Sequence, residues 1–594
     1  MQRPSFAHRL LISVLALLNL GCPAGAQPAD TVFTNGPIYT VSDTQPWASA
    51  LAVDDGEIVY VGDGAGLAPF IGPETRVIDL AGRLALPGLH DAHVHILEAN
   101  HPAQGTCFLP AGAPPESHIA RLIACAPDQV GTDWVLGFGH SIWDLRDHID
   151  AGGRPPVEIL DSAVPDRPVV IMEESSHSVW ANTLAIEAAG FDVATENPPG
   201  GVIVRDDFGD PNGIFLDGAG EILLDLALAP NPDLEILNRE ALLAGLELAR
   251  SHGITSLVDA RGHWRRGYVE AWQAVEAEGL LTARSIVSLW AYPYLDDGQQ
   301  IAALSALYSN DPSRRLRFSQ VKIYADGEIW HTSAALLNPY LCCTLAGPLG
   351  LEYFDTTRLT TYLTTLQDVG FDFHIHAIGD RGVHQALDAI EAAAGSCKGG
   401  TCEDRRHRLT HVEMVQPSDV PRFAALDVSA DLQMSHPYVE PPFLLDPAFL
   451  LGVPRIQERQ WRLRDLHEAG ANVVLSSDYD VGSLSAFEGM ARAIDRGDQS
   501  LPDLDAAIRA YTINAAYLMQ QEHLVGSLEV GKRADVIVVD RDVFSIPTSQ
   551  IPQTQVELTM VDGTIVFGEG AEETTVFDDG FESGDTSAWS NQAP

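Results

Sequence analysis

The stretch RLALPGLHDAHVHIL, residues 83–97, decides the fold, because it joins an apolar run to a dense group of metal-capable side chains. The run RLALP is typical of a buried strand, and three histidines and an aspartate follow it closely. Histidines two positions apart in an extended segment point to the same face, so His93 and His95 could hold one ion together. The short motif alone leaves open a second interpretation, two surface histidines on a loop.

The composition is that of a globular protein whose surface carries a large negative charge. The 594 residues include 36 Lys and Arg against 82 Asp and Glu, which gives a formal net charge of −46. Such a surface repels a phosphate backbone, and this argues against a nucleic-acid partner. The length allows one large catalytic domain and a smaller one, and it is compatible with a homodimer.

The first 26 residues resemble an export signal rather than part of the fold. Arg3 and Arg9 precede the apolar run LLISVLALLNL, and Ala24-Gly25-Ala26 has the small-x-small pattern of a cleavage site. The run is too short to span a membrane. We therefore expect a periplasmic or secreted protein that begins near Gln27, with a lipid anchor on Cys22 as the less favoured alternative.

An exported protein with an even number of cysteines is expected to contain disulfides. Cys397 and Cys402 flank the short turn KGGT and form the first candidate pair. Cys107–Cys125 is the second candidate pair. The adjacent Cys342 and Cys343 stay unassigned, and free buried thiols remain the alternative for each pair.

Both ends of the chain are rich in short alternating segments separated by turn residues. TVFTNGPIYTV and TRVIDLAGR lie near the N-terminus, and GSLEVGKRADVIVVD and VELTMVDGTIVFGEG lie near the C-terminus. Such segments form antiparallel hairpins. We predict one small β-sandwich built from residues 27–86 and 525–568, followed by an acidic flexible tail over 569–594.

The middle of the chain alternates apolar strands with helical stretches. Together with the strand before His93, the candidate strands make eight βα units, the number in a (β/α)8 barrel. The seven further strands are predicted at 253–260, 283–290, 318–326, 371–380, 408–415, 428–435 and 472–478. We therefore predict a barrel over residues 87–524 with an insertion at 100–230, and an open doubly wound sheet as the alternative.

Metal-capable side chains lie at the C-terminal ends of several predicted strands, where the active site of such a barrel forms. A single histidine at a strand end is unremarkable, but a set at one rim is improbable as coincidence. The set comprises His93, His95, Lys322, His376, His411 and Asp478.

The motifs around this set resemble those of the amidohydrolase superfamily, in the branch that includes N-substituted formamide deformylases. The matching segments are PGLHDAHVH, VKIYADGEI, FHIHAIGDRG, RLTHVEMV, SSDYD and GSLEVGKRADVIVVD. They follow one another in the family's order between about residues 31 and 568. The resemblance implies a TIM-like barrel and a metal-dependent hydrolase acting on carbon–nitrogen bonds other than peptide bonds.

The resemblance also implies a role for each residue of the set. His93 and His95 would bind one divalent ion, and His376 and His411 would serve a second ion or the substrate. Lys322 would be a carboxylated lysine that bridges two metals, and Asp478 a metal-bound general base. Imidazoles and carboxylates suit zinc, so we expect one or two divalent ions, with zinc as the leading candidate.

Several nearby residues have weaker assignments. A lysine ammonium would be repelled by two cations, so Lys322 must be neutral or carboxylated; a salt-bridged strand lysine is the alternative. His374 shares a strand face with His376, and we expect it to support the ligands. Asp91 could orient an imidazole or cap a turn. Trp143 and His177, in the insertion, are candidate substrate-binding residues. We expect structural roles for His90, Asp326, Asp380 and His436.

The leading functional hypothesis is an exported enzyme that hydrolyses an amide, a formamide or a cyclic amide with a metal-activated water. A deaminase or an esterase on the same barrel is the first alternative. A non-catalytic binding protein on a hydrolase scaffold is the second, although such a protein would be expected to lack at least one member of the set. The substrate itself is not readable, because pocket loops vary between relatives.

Overall fold

The computed structural model describes residues 27–395, 405–440 and 443–571. The predicted export signal, the Cys397–Cys402 pair and nearly all of the predicted tail lie outside these residues. None of the described helices is both long and apolar enough to cross a membrane.

The strands are numbered along the chain. They are β1 (Thr31–Thr34), β2 (Ile38–Tyr39), β3 (Trp47–Ala48), β4 (Ala50–Asp54), β5 (Glu57–Gly62), β6 (Arg76–Asp79), β7 (Leu84–Pro87), β8 (Leu89–Val94), β9 (Cys107–Phe108), β10 (Val135–His140), β11 (Val169–Glu173), β12 (Ser178–Ala181), β13 (Gly201–Arg205), β14 (Pro211–Asp217), β15 (Ile254–Gly262), β16 (Arg284–Trp290), β17 (Leu316–Tyr324), β18 (Asp372–Ala377), β19 (Arg408–His411), β20 (Ser429–Leu432), β21 (Val473–Leu475), β22 (Val536–Val539), β23 (Val556–Val561) and β24 (Thr564–Gly568).

The α-helices of the described residues are numbered in the same way. They are α1 (Ile119–Cys125), α2 (Ile142–Asp150), α3 (Pro156–Ala163), α4 (Thr183–Ala189), α5 (Gly218–Ala227), α6 (Pro232–Ser251), α7 (Tyr268–Ala277), α8 (Asp297–Leu307), α9 (Thr356–Gln367), α10 (Asp380–Ala393), α11 (Val420–Ala425), α12 (Ala448–Leu451), α13 (Val453–Arg459), α14 (Leu463–Glu468), α15 (Ala486–Ile494), α16 (Leu504–Ala510) and α17 (Ile513–Leu518).

The central sheet confirms the predicted barrel. Its eight strands run in the order β21-β20-β19-β18-β17-β16-β15-β8, and each neighbouring pair is parallel. A parallel bridge between Val94 and Tyr479 links the two ends of this order. Strands β15 to β18 are buried along their whole lengths, as parallel strands covered on both faces must be.

The first strand differs from its prediction. The run LALP is strand β7 of the small domain, where Leu86 pairs with Ile537 of β22. The barrel strand β8 begins two residues after Pro87 and contains His93 itself. Gly88 between the strands cannot carry a side chain, because an added Cβ would lie 2.2 Å from the Thr255 hydroxyl oxygen.

Both chain ends contribute to the small β domain, as predicted. One sheet has the order β5-β4-β1-β6, and the other has the order β24-β23-β22-β7-β2-β3. Phe33 and Leu51 from the N-terminal part are buried in one cluster with Val536 and Met560 from the C-terminal part. The two ends of the chain therefore share a single apolar core.

The insertion after β8 forms a third unit, a sheet in the order β13-β14-β12-β11-β10-β9. A disulfide joins Cys107 of β9 to Cys125 at the end of α1. Cys342 and Cys343 are bonded to each other in the segment that follows β17. Strand β12 pairs antiparallel with β14, Ser178 opposite Leu216, and the end of this pair lies over the barrel mouth.

Candidate metal centre

His93 of β8 and His95, which follows this strand, meet the aspartate that follows β21. The Nε2 atoms of His93 and His95 each lie 3.2 Å from Oδ1 of Asp478. His93 is fully buried, and the His95 side chain is 12% exposed. Three potential ligand atoms from the first and last barrel strands therefore converge on one point.

The hydrogen bonds that close the barrel also position these residues. The Asp478 amide donates to the His93 carbonyl at 2.8 Å, and the His95 amide donates to the Tyr479 carbonyl at 2.9 Å. Asp478 has a φ of 54°, in the left-handed region that non-glycine residues seldom adopt. Strained backbone is concentrated at functional sites, and here it turns the carboxylate toward the histidines.

A hydrogen-bond chain orients the ring of His93. Its Nδ1 lies 2.7 Å from the Thr410 hydroxyl oxygen, and that hydroxyl donates to Oδ2 of Asp431 at 3.3 Å. Because Nδ1 is held on this side, Nε2 of His93 is directed at Asp478.

The remaining polar atoms fit a bound cation. Nδ1 of His95 faces Oε2 of Glu98 at 3.8 Å, beyond hydrogen-bond distance, and its Nε2 faces Asp478. Two imidazole nitrogens and a carboxylate oxygen therefore surround one point. This is a donor set that suits a divalent ion such as zinc.

Lys322 on β17 lies beside this centre. Its Nζ is 3.3 Å from Nε2 of His93 and 3.4 Å from Nε2 of His374. It makes no ion pair with any residue that the structure describes, so the salt-bridged alternative lacks a partner. Burial first, and then the nearby Arg408 and Arg261, hold the pKa of Lys322 well below its usual range.

His374 lies two residues before His376 on β18, on the same face of the strand and deeper in the barrel. Its Nε2 is 3.1 Å from Nδ1 of His93, and the guanidinium of Arg408 donates to its Nδ1. Burial, followed by Arg408, keeps the pKa of His374 well below its usual range. As predicted from its place on the strand, it packs beneath the ligands.

His376 and His411 form the other side of the centre. Their ring centroids are 4.4 Å apart, and Nδ1 of His411 lies 3.9 Å from Oδ2 of Asp478. His376 donates from Nε2 to the Gly327 carbonyl at 3.2 Å, so its Nδ1 is a lone pair, buried and without a hydrogen-bond partner among the described residues. All six residues predicted for the rim therefore lie in one continuous cluster.

The nearby carboxylates have structural partners. Asp326 accepts hydrogen bonds from the backbone amides of Ala335, Ile378 and Gly379, the role expected for it. Asp380 pairs with Arg459. Asp91 accepts from the amides of His93 and Ser477, and burial raises its pKa to about 7; it ties backbone segments together rather than orienting a ring.

His436 is predicted to be structural, but the structure places it at the site. Its Nε2 lies 3.7 Å from Oδ2 of Asp478. Sequence reasoning also misses Glu98 and Arg261, which pair at 3.0 Å beside His95. The available signal for His436 is its position just after the seventh barrel strand, at the rim where ligands occur.

A cavity of about 570 Å³ opens from the metal centre toward the insertion. His95, His411 and Asp478 line its floor, and His177 of the insertion lines its wall. Trp143 lies elsewhere, with its ring centroid 5.5 Å from that of Phe449. Of the two residues predicted to bind substrate, the described part of the chain therefore brings only His177 to this cavity.

Comparison with known proteins identifies the family. A sequence profile described as the amidohydrolase family matches residues 76–567. The chain belongs to the amidohydrolase family. This membership agrees with the barrel, the small β domain and the cluster of histidines, lysine and aspartate at the barrel mouth. It supports a metal-dependent hydrolase with a small-molecule substrate.

The amidohydrolase relatives match along most of the chain. Protein LONG AFTER FAR-RED 3 of Arabidopsis thaliana is 28% identical over 90% of this chain and 93% of its own. N-substituted formamide deformylase of Arthrobacter pascens is 26% identical over 88% and 96%. The crystal structure of an uncharacterized metal-dependent hydrolase from Pyrococcus horikoshii has a TM-score of 0.67 at 22% identity, covering 87% of this chain and 99% of that one, and supports the fold.

Proposed function

We propose that this amidohydrolase cleaves a non-peptide C–N bond, in an amide, a formamide or a cyclic amide, with the help of zinc or a similar ion. One observation carries the proposal: the Nε2 atoms of His93 and His95 converge on Oδ1 of Asp478 at the floor of a cavity. His376 and His411 would complete the ligand set. An ion bound there supplies Lewis-acid polarisation of a carbonyl and lowers the pKa of water.

Asp478 has an oxygen available for proton transfer. Its Oδ1 faces His93 and His95, whereas Oδ2 lies 3.9 Å from His411 and 3.7 Å from His436, beyond hydrogen-bond distance. We assign to Oδ2 the acceptance of a proton from the attacking water. The same atom then delivers this proton to the leaving nitrogen, because an amine leaves poorly unless it is protonated.

Lys322 is proposed to carry a carboxyl group on Nζ. Formation of a carbamate requires a neutral amine, and burial together with two arginines keeps the pKa of Lys322 low. Incubation with ¹³C-bicarbonate should give a carbamate carbon resonance that is missing from Lys322→Met. A spectrum without this resonance in the active, metal-loaded enzyme would exclude the modification.

The test of function combines elemental analysis with a hydrolysis screen. The screen should include N-formyl and N-acyl amines, cyclic imides, aryl esters and amino-substituted heterocycles. We expect amide or imide cleavage that disappears when a chelator strips the metal and returns when zinc is added. Full activity in metal-free protein, or turnover restricted to the esters or heterocycles, would contradict the proposal.

We also propose that the enzyme works in the periplasm or outside the cell. The support is the basic residues, apolar run and Ala-Gly-Ala site at the N-terminus. Mass spectrometry of the protein recovered from its host should find a mature N-terminus near Gln27. Recovery of intact Met1, or of a lipid on Cys22, would refute this site of cleavage.

A further inference from the structure

His177 and Asp217 form a dyad at the edge of the insertion sheet. Nδ1 of His177 lies 2.7 Å from Oδ1 of Asp217, and the Asp217 amide donates to the His177 carbonyl at 2.9 Å. The side chain of Asp217 is 1% exposed and that of His177 is 11% exposed. Two hydrogen bonds therefore hold the imidazole in one orientation.

The backbone on both sides of the dyad is strained. Asp217 has φ 49° and ψ −121°, and Ser176, which precedes the histidine, has φ 63°. Positive φ is costly for residues with a side chain, and it persists where the surroundings demand it. Both residues lie where the chain changes direction, Ser176 just before β12 and Asp217 at the junction of β14 and α5, so the dyad is held at two sharp turns of the backbone.

This ring reaches across from the insertion to the metal centre. Its centroid lies 5.3 Å from that of His376 and 5.9 Å from that of Tyr324. The ring lines the cavity whose floor is formed by His95 and Asp478. A substrate whose scissile bond meets that floor would also meet the edge of His177.

The hydrogen bond to Asp217 determines whether Nε2 of His177 donates or accepts a hydrogen bond in the cavity. A carboxylate accepts but does not donate, so the proton of neutral His177 is on Nδ1 and Nε2 is a lone pair. Nε2 has no hydrogen-bond partner among the described residues. An unpaired acceptor in a largely enclosed cavity is suited to a ligand N–H group.

The rest of the cavity wall indicates the nature of the substituent. Phe108, Phe138 and Met172 form an apolar patch on the insertion side, and Gln104 and Asp480 add polar atoms elsewhere in the lining. The nearby Arg261 is already neutralised by Glu98 and Glu221. The patch thus suits an apolar substituent, and the acidic lining disfavours an anionic one.

From this geometry we infer that the His177–Asp217 dyad is a specificity device that accepts the N–H of a secondary amide carrying an apolar group. The inference rests on the proposed function and narrows its substrate class. Esters and N-alkylated tertiary amides lack this N–H and would leave Nε2 unpaired. Discrimination against them would then follow from a lost hydrogen bond.

The test compares two probes that differ at this position, acetanilide and N-methylacetanilide. Equilibrium dialysis against zinc-loaded protein, with mass-spectrometric counting of intact probe and released amine, separates binding from hydrolysis. We expect the native protein to bind acetanilide about three- to tenfold more tightly, the usual contribution of one hydrogen bond. The preference should fall to within about twofold in His177→Phe.

A second variant, Asp217→Asn, tests the same inference without replacing His177. In Asp217→Asn the amide NH₂ can donate to Nδ1, which moves the ring proton to Nε2 and removes the acceptor, so the preference should again disappear. Gln104→Met, elsewhere on the same cavity wall, should leave it unchanged. For any probe that is hydrolysed, the dyad variants should raise KM.

Several results would overturn the inference: equal affinity of the native protein for both probes, binding of neither, or a preference that survives in both dyad variants. The proposed function fails separately. It is contradicted if the preference for acetanilide is present and yet no amide in the screen releases its amine.

Discussion

Three groups of histidine and carboxylate in the described residues could hold a metal ion, and one of them, His93 with His374 and Asp431, lies beneath the metal centre and shares His93 with it. The other two groups have opposite character. We call His93, His95 and Asp478 the open cluster. We call Glu221, Asp225 and His263 the arginine cluster, because Arg266 contacts all three. In each group, potential metal-ligand atoms lie within 4.8 Å of one another. Residue types and distances alone would therefore suggest a metal ion at both.

Hydrogen-bond partners distinguish the two clusters. In the arginine cluster, Arg266 pairs with Glu221 and, at 2.9 Å, with Asp225, and its guanidinium lies 3.2 Å from Nε2 of His263. Burial raises the pKa of Glu221, but Arg266 and Arg261 outweigh it and hold the pKa below its usual range. Its acceptors are already used by permanent cations.

In the open cluster, no arginine contacts Asp478 among the described residues. The neighbouring lysine, Lys322, has a strongly lowered pKa and faces the histidines. No arginine of the described part of the chain is paired with His93 or His95, and the cluster faces a cavity. A metal centre is therefore marked by acceptor atoms that have no arginine partner, and not by the number of acceptor atoms close together.

Asp478→Asn should cause the largest effect on function. The amide retains an oxygen ligand but cannot accept the water proton, so turnover should fall by about 10²–10⁴-fold while the fold and much of the metal remain. Steady-state rates and elemental analysis check this. Asp225→Asn in the arginine cluster is the matched control and should keep the turnover of the folded protein. A folded, metal-loaded Asp478→Asn enzyme with near-native turnover would refute the proton-transfer role.

Arg266→Met should cause the largest effect on stability. Arg266 is 1% exposed, and its loss takes a buried partner from two carboxylates, leaving Glu221 with Arg261 and Asp225 with the half-exposed Arg265. Breaking such a buried pair costs about 3–5 kcal/mol in the free energy of unfolding. Metal content per folded molecule should not change. Urea unfolding followed by circular dichroism measures the first quantity, and elemental analysis the second.

The control for Arg266→Met is Arg265→Met. Arg265 pairs with the same Asp225 at 2.8 Å, but its side chain is 38% exposed. Its loss should cost less than about 1 kcal/mol, as for exposed ion pairs. Equal destabilisation by the two changes, or loss of metal from the Arg266 variant, would mean that the arginine cluster is not a separate, self-neutralised unit.

Thr410→Val should cause a smaller effect, confined to the open cluster. It removes the hydroxyl that lies 2.7 Å from Nδ1 of His93 and orients the ring, so metal affinity should fall by about 10–100-fold, as for other residues that orient a ligand. Competition with a zinc chelator measures this affinity. Thr559→Val, whose hydroxyl bonds the Arg250 carbonyl, should leave it unchanged. Unaltered zinc affinity in the Thr410→Val protein would show that Thr410 does not orient His93 for the metal.

Much of the fold is predictable because parallel barrel strands are buried on both faces and stand out as apolar runs. Seven of the eight barrel strands, and the rim residues that follow them, can be found in this way. Strand β7 is misassigned because the run RLALP is equally apolar whether it belongs to the barrel or to the small domain. Only long-range pairing, Leu86 with Ile537, decides between them.

Partners from distant parts of the chain are beyond sequence reasoning. Asp217 is 40 residues from His177, and no local pattern links them. His436 follows strand β20 in an irregular segment, where periodicity is uninformative. The distinction between the open cluster and the arginine cluster likewise depends on which guanidinium groups fold back onto which carboxylates, and this is a property of packing.

Crystals grown with zinc offer the most direct test of this contrast, through anomalous diffraction measured on both sides of the zinc absorption edge. We expect a strong anomalous peak bounded by Nε2 of His93, Nε2 of His95 and the Asp478 carboxylate, and no peak among Glu221, Asp225 and His263. A peak at the arginine cluster, or none at the open cluster in fully loaded crystals, would contradict this expectation.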